Sequence, residues 1–131
     1  MLALDTNILI AVQKREPEAD SRYVAALAAG EVLAVPSVVR YEARRSLLAP
    51  LYTRRLNTLD SLLTFLPSLD FDQQAADIAA SIYHQLGTTG QLIDEADLMI
   101  AATAVRYNAT LVTRNTSHFQ RIQGLRLLDW L

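Results

Sequence analysis

The sequence predicts an α/β fold, a parallel sheet with helices on both faces, and three observations carry that expectation. Short apolar runs alternate with longer amphipathic stretches, the order of βαβ units. The first run, Leu2-Ala3-Leu4, reaches Asp5-Thr6-Asn7 and passes into a second, Ile8-Leu9-Ile10-Ala11-Val12, as a buried strand feeding a buried helix does. Hydrophobic residues make up 51% of the chain, and glycine and proline are sparse at four each, which allows a real core and argues against disorder. At 131 residues a single domain over residues 1–131 is expected.

In order, Leu2 to Leu4 is the first strand and Ile8 to Val12 the opening of the first helix. Lys14-Arg15-Glu16-Pro17 breaks the pattern, and Pro17 suits the first turn of a new helix. That helix covers Glu18 to Ala29, with Tyr23, Val24 and Leu27 as its apolar stripe and Gly30 as its stop. Val32 to Val35 is a second strand, and Ser37 is the expected N-cap of a helix from Val38 to Leu48. Pro50 interrupts the helical pattern, which resumes from Leu51 to Leu63 with Arg54-Arg55 on its polar side. Phe65 to Leu69 contains Pro67 and reads as an edge strand. Asp72 opens a helix that runs to Leu86 with Gly87 as its stop; residues 88–91 form a loop. Asp94 is the expected N-cap of a strongly apolar helix, Glu95 to Tyr107. Ala109 to Thr113 is a strand that ends in the polar run Arg114-Asn115-Thr116-Ser117-His118. A helical turn at Phe119 to Ile122 and a last strand, Leu125 to Leu128, complete the chain.

Composition narrows the functional classes. Cysteine is absent, which excludes a disulfide framework and thiolate metal sites and suits a reducing cytoplasm. No basic and apolar leader precedes the first strand, so no signal peptide is expected. No apolar run approaches the length of a membrane span. The formal net charge of −2 indicates no partner by itself, although the cations are eleven Arg and the single Lys14. Arginine's planar fork matches phosphate, a weak pointer to nucleic acid. No glycine-rich phosphate loop or dinucleotide fingerprint occurs, so no nucleotide cofactor is expected.

Asp5 stands at the carboxyl end of the first strand, the edge where open α/β sheets bind ligands. Asp5 or Thr6 can equally well cap the following helix. Right-handed crossovers bring the ends of the first and fourth strands together around the switch point, so Asp5 meets Thr113-Arg114-Asn115. Glu42 and Asp97 are acids on largely apolar helices, and a buried acid needs a partner. For Glu42 that partner is Arg45 at i+3 or a functional site. For Asp97 it is a capping box with Asp94 or, again, a site. Asn115 is a turn residue or a ligand-facing amide. Taken together, three carboxylates and an amide make an oxygen-rich pocket that suits Mg²⁺ or Mn²⁺. His84 and His118 are isolated, which argues against zinc. A carboxylate-held Mg²⁺ acts typically on phosphates.

Four segments, in this order, carry a resemblance. They are Leu4-Asp5-Thr6-Asn7, the helix acid Glu42 after the second strand, Asp97-Leu98-Met99-Ile100-Ala101-Ala102, and Leu111 to Phe119. The chain resembles a PIN domain over nearly its whole length, most similar to the VapC-like toxins of bacterial and archaeal toxin–antitoxin pairs. The resemblance implies a three-layer sandwich with a parallel sheet of about five strands, and metal-dependent endoribonuclease activity in the cytoplasm. By position, Asp5, Glu42 and Asp97 match the metal-binding acids, and Asn115 falls where many relatives carry a fourth acid. Thr6, Asn7 and Thr113 match polar residues that support the site; Asp94 has a less clear match.

The implied roles follow. Asp5 and Asp97 hold Mg²⁺ or Mn²⁺ directly. Glu42 completes the shell or orients the attacking water, and Asn115 bonds a water or a phosphate oxygen. Arg114, with Arg15 or Arg40, is a candidate contact to the RNA backbone, which positions substrate without reading sequence. The implied partners are RNA, a cognate antitoxin and a second copy of the chain, with no membrane. Two rival readings stand beside this one. A doubly wound phosphatase or phosphotransfer domain also places an Asp after its first strand, but Asp5-Thr6-Asn7 lacks a second acid. A non-catalytic RNA- or protein-binding module would keep the fold and ignore chelators.

Overall fold

Leu2, Ala3 and Leu4 are almost wholly removed from solvent, and the strand they form, β1 (Leu2–Leu4), is the centre of the sheet. The computed structural model describes residues 1–130. Beside β1 lie β2 (Leu33–Pro36) and β4 (Thr110–Val112), with β3 (Ser68–Leu69) and β5 (Arg126–Leu128) at the edges, in the order β3-β2-β1-β4-β5. Every pairing is parallel, and Ala3 lies between Ala34 on one side and Leu111 on the other. The expected edge strand around Pro67 is therefore β3, shorter than the run suggests. The chain moves outward from β1 through β2 to β3, then crosses back to β4 and β5. With right-handed crossovers this reversal puts the helices before β3 and those after it on opposite faces of the sheet. It also makes the β1–β4 seam the switch point, where the N–H of Asp5 donates to the Val112 carbonyl at 2.9 Å.

The helices are α1 (Thr6–Gln13), α2 (Pro17–Ala28), α3 (Ser37–Arg45), α4 (Thr53–Leu63), α5 (Gln73–Thr88), α6 (Glu95–Arg106) and α7 (Thr116–Phe119). A single 3₁₀ turn at Pro50–Tyr52 leads into α4. Ile8 and Leu9 of α1, Ile100 to Ala102 and Ala104 of α6, and Phe119 of α7 are fully buried with Leu4, Leu111 and Val112. The alanines let α6 approach closely, and α6 packs against both α5 and α3. Asp72 caps α5 by accepting the Ala75 N–H at 2.9 Å, and its other oxygen faces Arg106 Nε at 3.2 Å. Those bonds, the Ala75 N–H first, hold the Asp72 carboxyl below its ordinary range.

Several boundaries differ from the sequence expectations. Ser37 is the first residue of α3 and not its cap; Pro36 holds that position without a side-chain bond. The Ser37 hydroxyl instead accepts the Phe71 N–H, thirty-four residues away, at 3.1 Å. α3 stops at Arg45 rather than Leu48, with the Ser46 hydroxyl turned back onto the Ala43 carbonyl at 2.8 Å. α5 runs through Gly87 to Thr88, and the left-handed residue that ends it is Gly90, φ +67°. The turn placed at Phe119 to Ile122 is instead α7, three residues earlier.

The end of α1 prepares the site. Arg15 has φ +54°, and the next N–H, that of Glu16, donates back to Ala11 at 3.0 Å. α2 ends in the same way with Gly30 in the left-handed position, the residue such an ending favours. A side chain at that φ costs about 1–2 kcal/mol, so Arg15 is held there against its preference.

Candidate active site at the β1–β4 switch point

Asp5 follows β1 and caps α1. One carboxylate oxygen accepts the Thr6 N–H at 2.8 Å, and the other accepts the Thr113 hydroxyl at 2.7 Å. Capping does not withdraw Asp5 from the cleft, because the same buried carboxylate caps α1, bonds Thr113 and lines it. Only 3% of Asp5 is exposed. Burial pushes its carboxyl above the ordinary value and Glu42 adds repulsion, while the two hydrogen bonds pull it down. Thr113 ends β4 fully buried and also accepts the Asn115 N–H at 3.0 Å. One hydroxyl therefore links the two strand ends across the seam.

Glu42 projects from α3. Its Oε1 accepts the Thr6 hydroxyl at 2.7 Å, and its Oε2 faces Arg45 at 3.8 Å. The i+3 partner and the site partner are both real. Asp97 lies in the first turn of α6 and is half-buried. Its carboxyl is raised to about 6, first by burial and then by the like charges of Asp5, Asp94 and Glu42, with His118 drawing it slightly down. Asp94 holds the N-cap position of α6, but its side chain makes no capping bond; it is exposed and lines a surface depression with Tyr41 and Arg45, whose guanidinium feels its charge.

Asp5, Thr6, Asn7, Glu42, Asp97, Arg114 and Asn115 line one open cleft of about 420 Å³. Arg15 and Arg40 are exposed and do not line it. Arg114 does, with its backbone N–H on Asn7 Oδ1 at 3.4 Å and its guanidinium on Glu16 at 2.6 Å. Sequence reasoning missed Lys14 and Glu16, which form the far wall of the cleft with Ile10 and Ala11. The signal was present as spacing: Asn7, Ile10, Ala11 and Lys14 recur at i, i+3, i+4 and i+7, one face of α1.

The donor set is wholly oxygen, and the mutual repulsion that raises Asp97 is what a divalent cation relieves. Among the described residues, no three His, Cys, Asp or Glu side chains are already gathered as a metal-ligand group.

Thr113→Val is expected to cost about 1–3 kcal/mol, because it strands a buried Asp5 oxygen and also removes the acceptor of the part-buried Asn115 N–H. Denaturant unfolding measures this, and an unchanged midpoint would refute the linking role of the hydroxyl.

The family model described as PIN domain matches residues 2–125. The chain is 30% identical over 128 residues to Ribonuclease VapC2 of Rickettsia felis, covering 97% of this chain and 96% of that one. It is 33% identical to the tRNA(fMet)-specific endonuclease VapC of Shigella flexneri, with 97% and 96% covered. The structure of VapBC2 from Rickettsia felis bound to a DNA fragment from its promoter superposes with a TM-score of 0.90 at 29% identity, covering 99% of this chain and 98% of that chain.

Proposed function

Because the chain belongs to the PIN-domain family, we propose that its cleft hydrolyses RNA phosphodiester bonds with Mg²⁺ or Mn²⁺, as the toxin of a toxin–antitoxin pair. The chain is an endoribonuclease of the VapC kind. The observation that carries the proposed chemistry is the meeting of Asp5, Glu42 and Asp97 in one cleft at the switch point. Asp5 and Asp97 would hold the cation, and Glu42 would complete its surroundings. Bound there, the cation supplies a Lewis acid for the phosphate and a more acidic water. Thr6 and Thr113 keep Glu42 and Asp5 aimed into the cleft through their hydroxyls. Alternatively, Glu42 would stay outside the shell and orient the attacking water as general base. Asn115, at the start of α7, offers its amide to a phosphate oxygen.

A cognate antitoxin fits the relatives, whose structures are VapBC complexes. A homodimer is part of the same proposal. Among the described residues no helix is long and apolar enough to cross a membrane. The phosphotransfer alternative falls with family membership.

The test is RNA cleavage with Mn²⁺ or Mg²⁺ present, in chelator, and after adding metal back, at several pH values. Cleavage is expected only with metal. Ligation needs the Asp97 carboxylate, so the Mn²⁺-induced rise in thermal midpoint is expected to be full at neutral pH and to fade below about 6. The metal-free protein should move oppositely. Asp97 is raised when folded, so stability is greatest below its unfolded value and is lost as pH rises through about 6. Undiminished cleavage in excess chelator overturns the metal mechanism, whereas RNA binding without cleavage under every metal condition leaves the binding-module reading.

A further inference from the structure

Arg22, Arg44, Arg45, Arg106 and Arg114 each face a carboxylate. Lys14, Arg15, Arg54 and Arg55 are exposed and have no ion-pair partner among the described residues. These four lie together beside the cleft. Lys14 lines the cleft and also an adjoining depression of about 410 Å³, whose other walls are Gln13, Arg54, Arg55 and Thr58. The Gln13 side-chain amide donates to the Arg55 carbonyl at 3.0 Å, fastening the end of α1 to the start of α4. Arg15 borders a third depression that shares Gln13 and Thr58 with the second.

Two of these placements run against local stability. Arg54 and Arg55 occupy the first turn of α4, which holds no acid, at the positive end of the helix dipole where cations are disfavoured. Arg15 takes a left-handed φ of +54° that glycine would adopt without strain. Arg55 lies over the Tyr52 ring, 5.7 Å from its centroid, but among the described residues none of the three forms an ion pair with a carboxylate, and the protein as a whole carries a net charge of −2. The acids at one end of the cleft suit a single cation-bridged phosphate. A longer polyanion needs positive charge where it leaves them.

Resting on the nuclease reading above, we infer that the backbone of a single-stranded RNA substrate leaves the cleft over Lys14 and lies along Arg54, Arg55 and Arg15. The track is continuous because Lys14 belongs to both depressions. Its exposed guanidinium groups hold phosphates and do not read bases, so it sets the length of RNA engaged and not its sequence.

The test is fluorescence anisotropy with a labelled single-stranded oligoribonucleotide, titrated with the full-length protein in EDTA across a range of salt. Because metal is withheld, binding is measured apart from cleavage, and failure of the nuclease chemistry leaves this readout intact. The double variant Arg54→Ala/Arg55→Ala is expected to bind roughly two- to thirtyfold more weakly, the range for two exposed ion pairs. Its log–log salt slope should fall by about 1.4, two single-strand phosphate contacts. Arg54→Lys/Arg55→Lys should restore most of the affinity, and thermal midpoints should be alike. Wild-type affinity and salt slope in the alanine variant overturn the inference. So does a variant that binds RNA normally but loses its antitoxin, which would assign the face to an acidic protein segment.

Discussion

Asp97→Asn is expected to abolish RNA cleavage, with a loss of at least about 10³-fold, because several kcal/mol of charge stabilisation depend on the cation it helps to hold. The substitution is nearly isosteric, and the half-buried carboxylate it replaces accepts no hydrogen bond among the described residues, so the fold should be unharmed. Without metal the variant should match or exceed wild-type stability at neutral pH, since burial and three like charges disfavour the ionised acid. Its Mn²⁺-induced thermal shift should disappear. Cleavage within about tenfold of wild type, or an undiminished Mn²⁺ shift, would remove Asp97 from the proposed metal pair. Asp5→Asn is the poorer probe. An amide at position 5 can keep its oxygen on the Thr6 N–H but must point its NH₂ at the Thr113 hydroxyl, which donates to the carboxylate, so lost activity would be mixed with a disturbed link between the strand ends.

Phe119→Ala should be the most destabilising single change near the site, about 3–5 kcal/mol. Phe119 is fully buried, yet it belongs to a helix of only four residues. Little besides that ring anchors α7, and α7 follows directly on Asn115. Denaturant unfolding gives the loss in stability. Cleavage measured well below the unfolding midpoint should also fall, as the 114–118 segment loosens. A cost under about 1 kcal/mol would mean that α7 is held by something other than its core side chain.

How much of this the sequence disclosed follows from where each signal resides. β1 and α6 were legible because unbroken apolar runs have one stable home, the middle of a two-faced sheet. Asp5, Glu42 and Asp97 stood out as acids on apolar elements. The Asp5–Thr113 encounter followed from crossover handedness alone. What escaped was decided by partners distant in sequence. Ser37 lost its capping role to Phe71, and no local pattern announces that. Asp94 has the residue type of a cap, but its side chain faces Arg45 across the α3–α6 surface. Arg15 and Arg40 were grouped with Arg114 by charge, and only the geometry separates them. Lys14 was passed over because it sits just beyond a helix end, where the chain reads as a break in pattern.

The unequal restraint of Asp5 and Asp97 reaches into ion choice. Asp5 is pinned through both oxygens, and Asp97 through neither. The cleft therefore works like a vice with one fixed jaw and one sliding jaw. On the proposed metal chemistry, the fixed jaw would set where a cation rests. The sliding jaw would let the site adjust to the cation's size, because no hydrogen bond holds the Asp97 carboxylate. Rigid cages discriminate ions by radius, and compliant ones do so poorly. On the proposed metal chemistry, a protein built this way would tolerate Mn²⁺ in place of Mg²⁺ and would leave the choice between them to the cell's ion supply more than to its own walls.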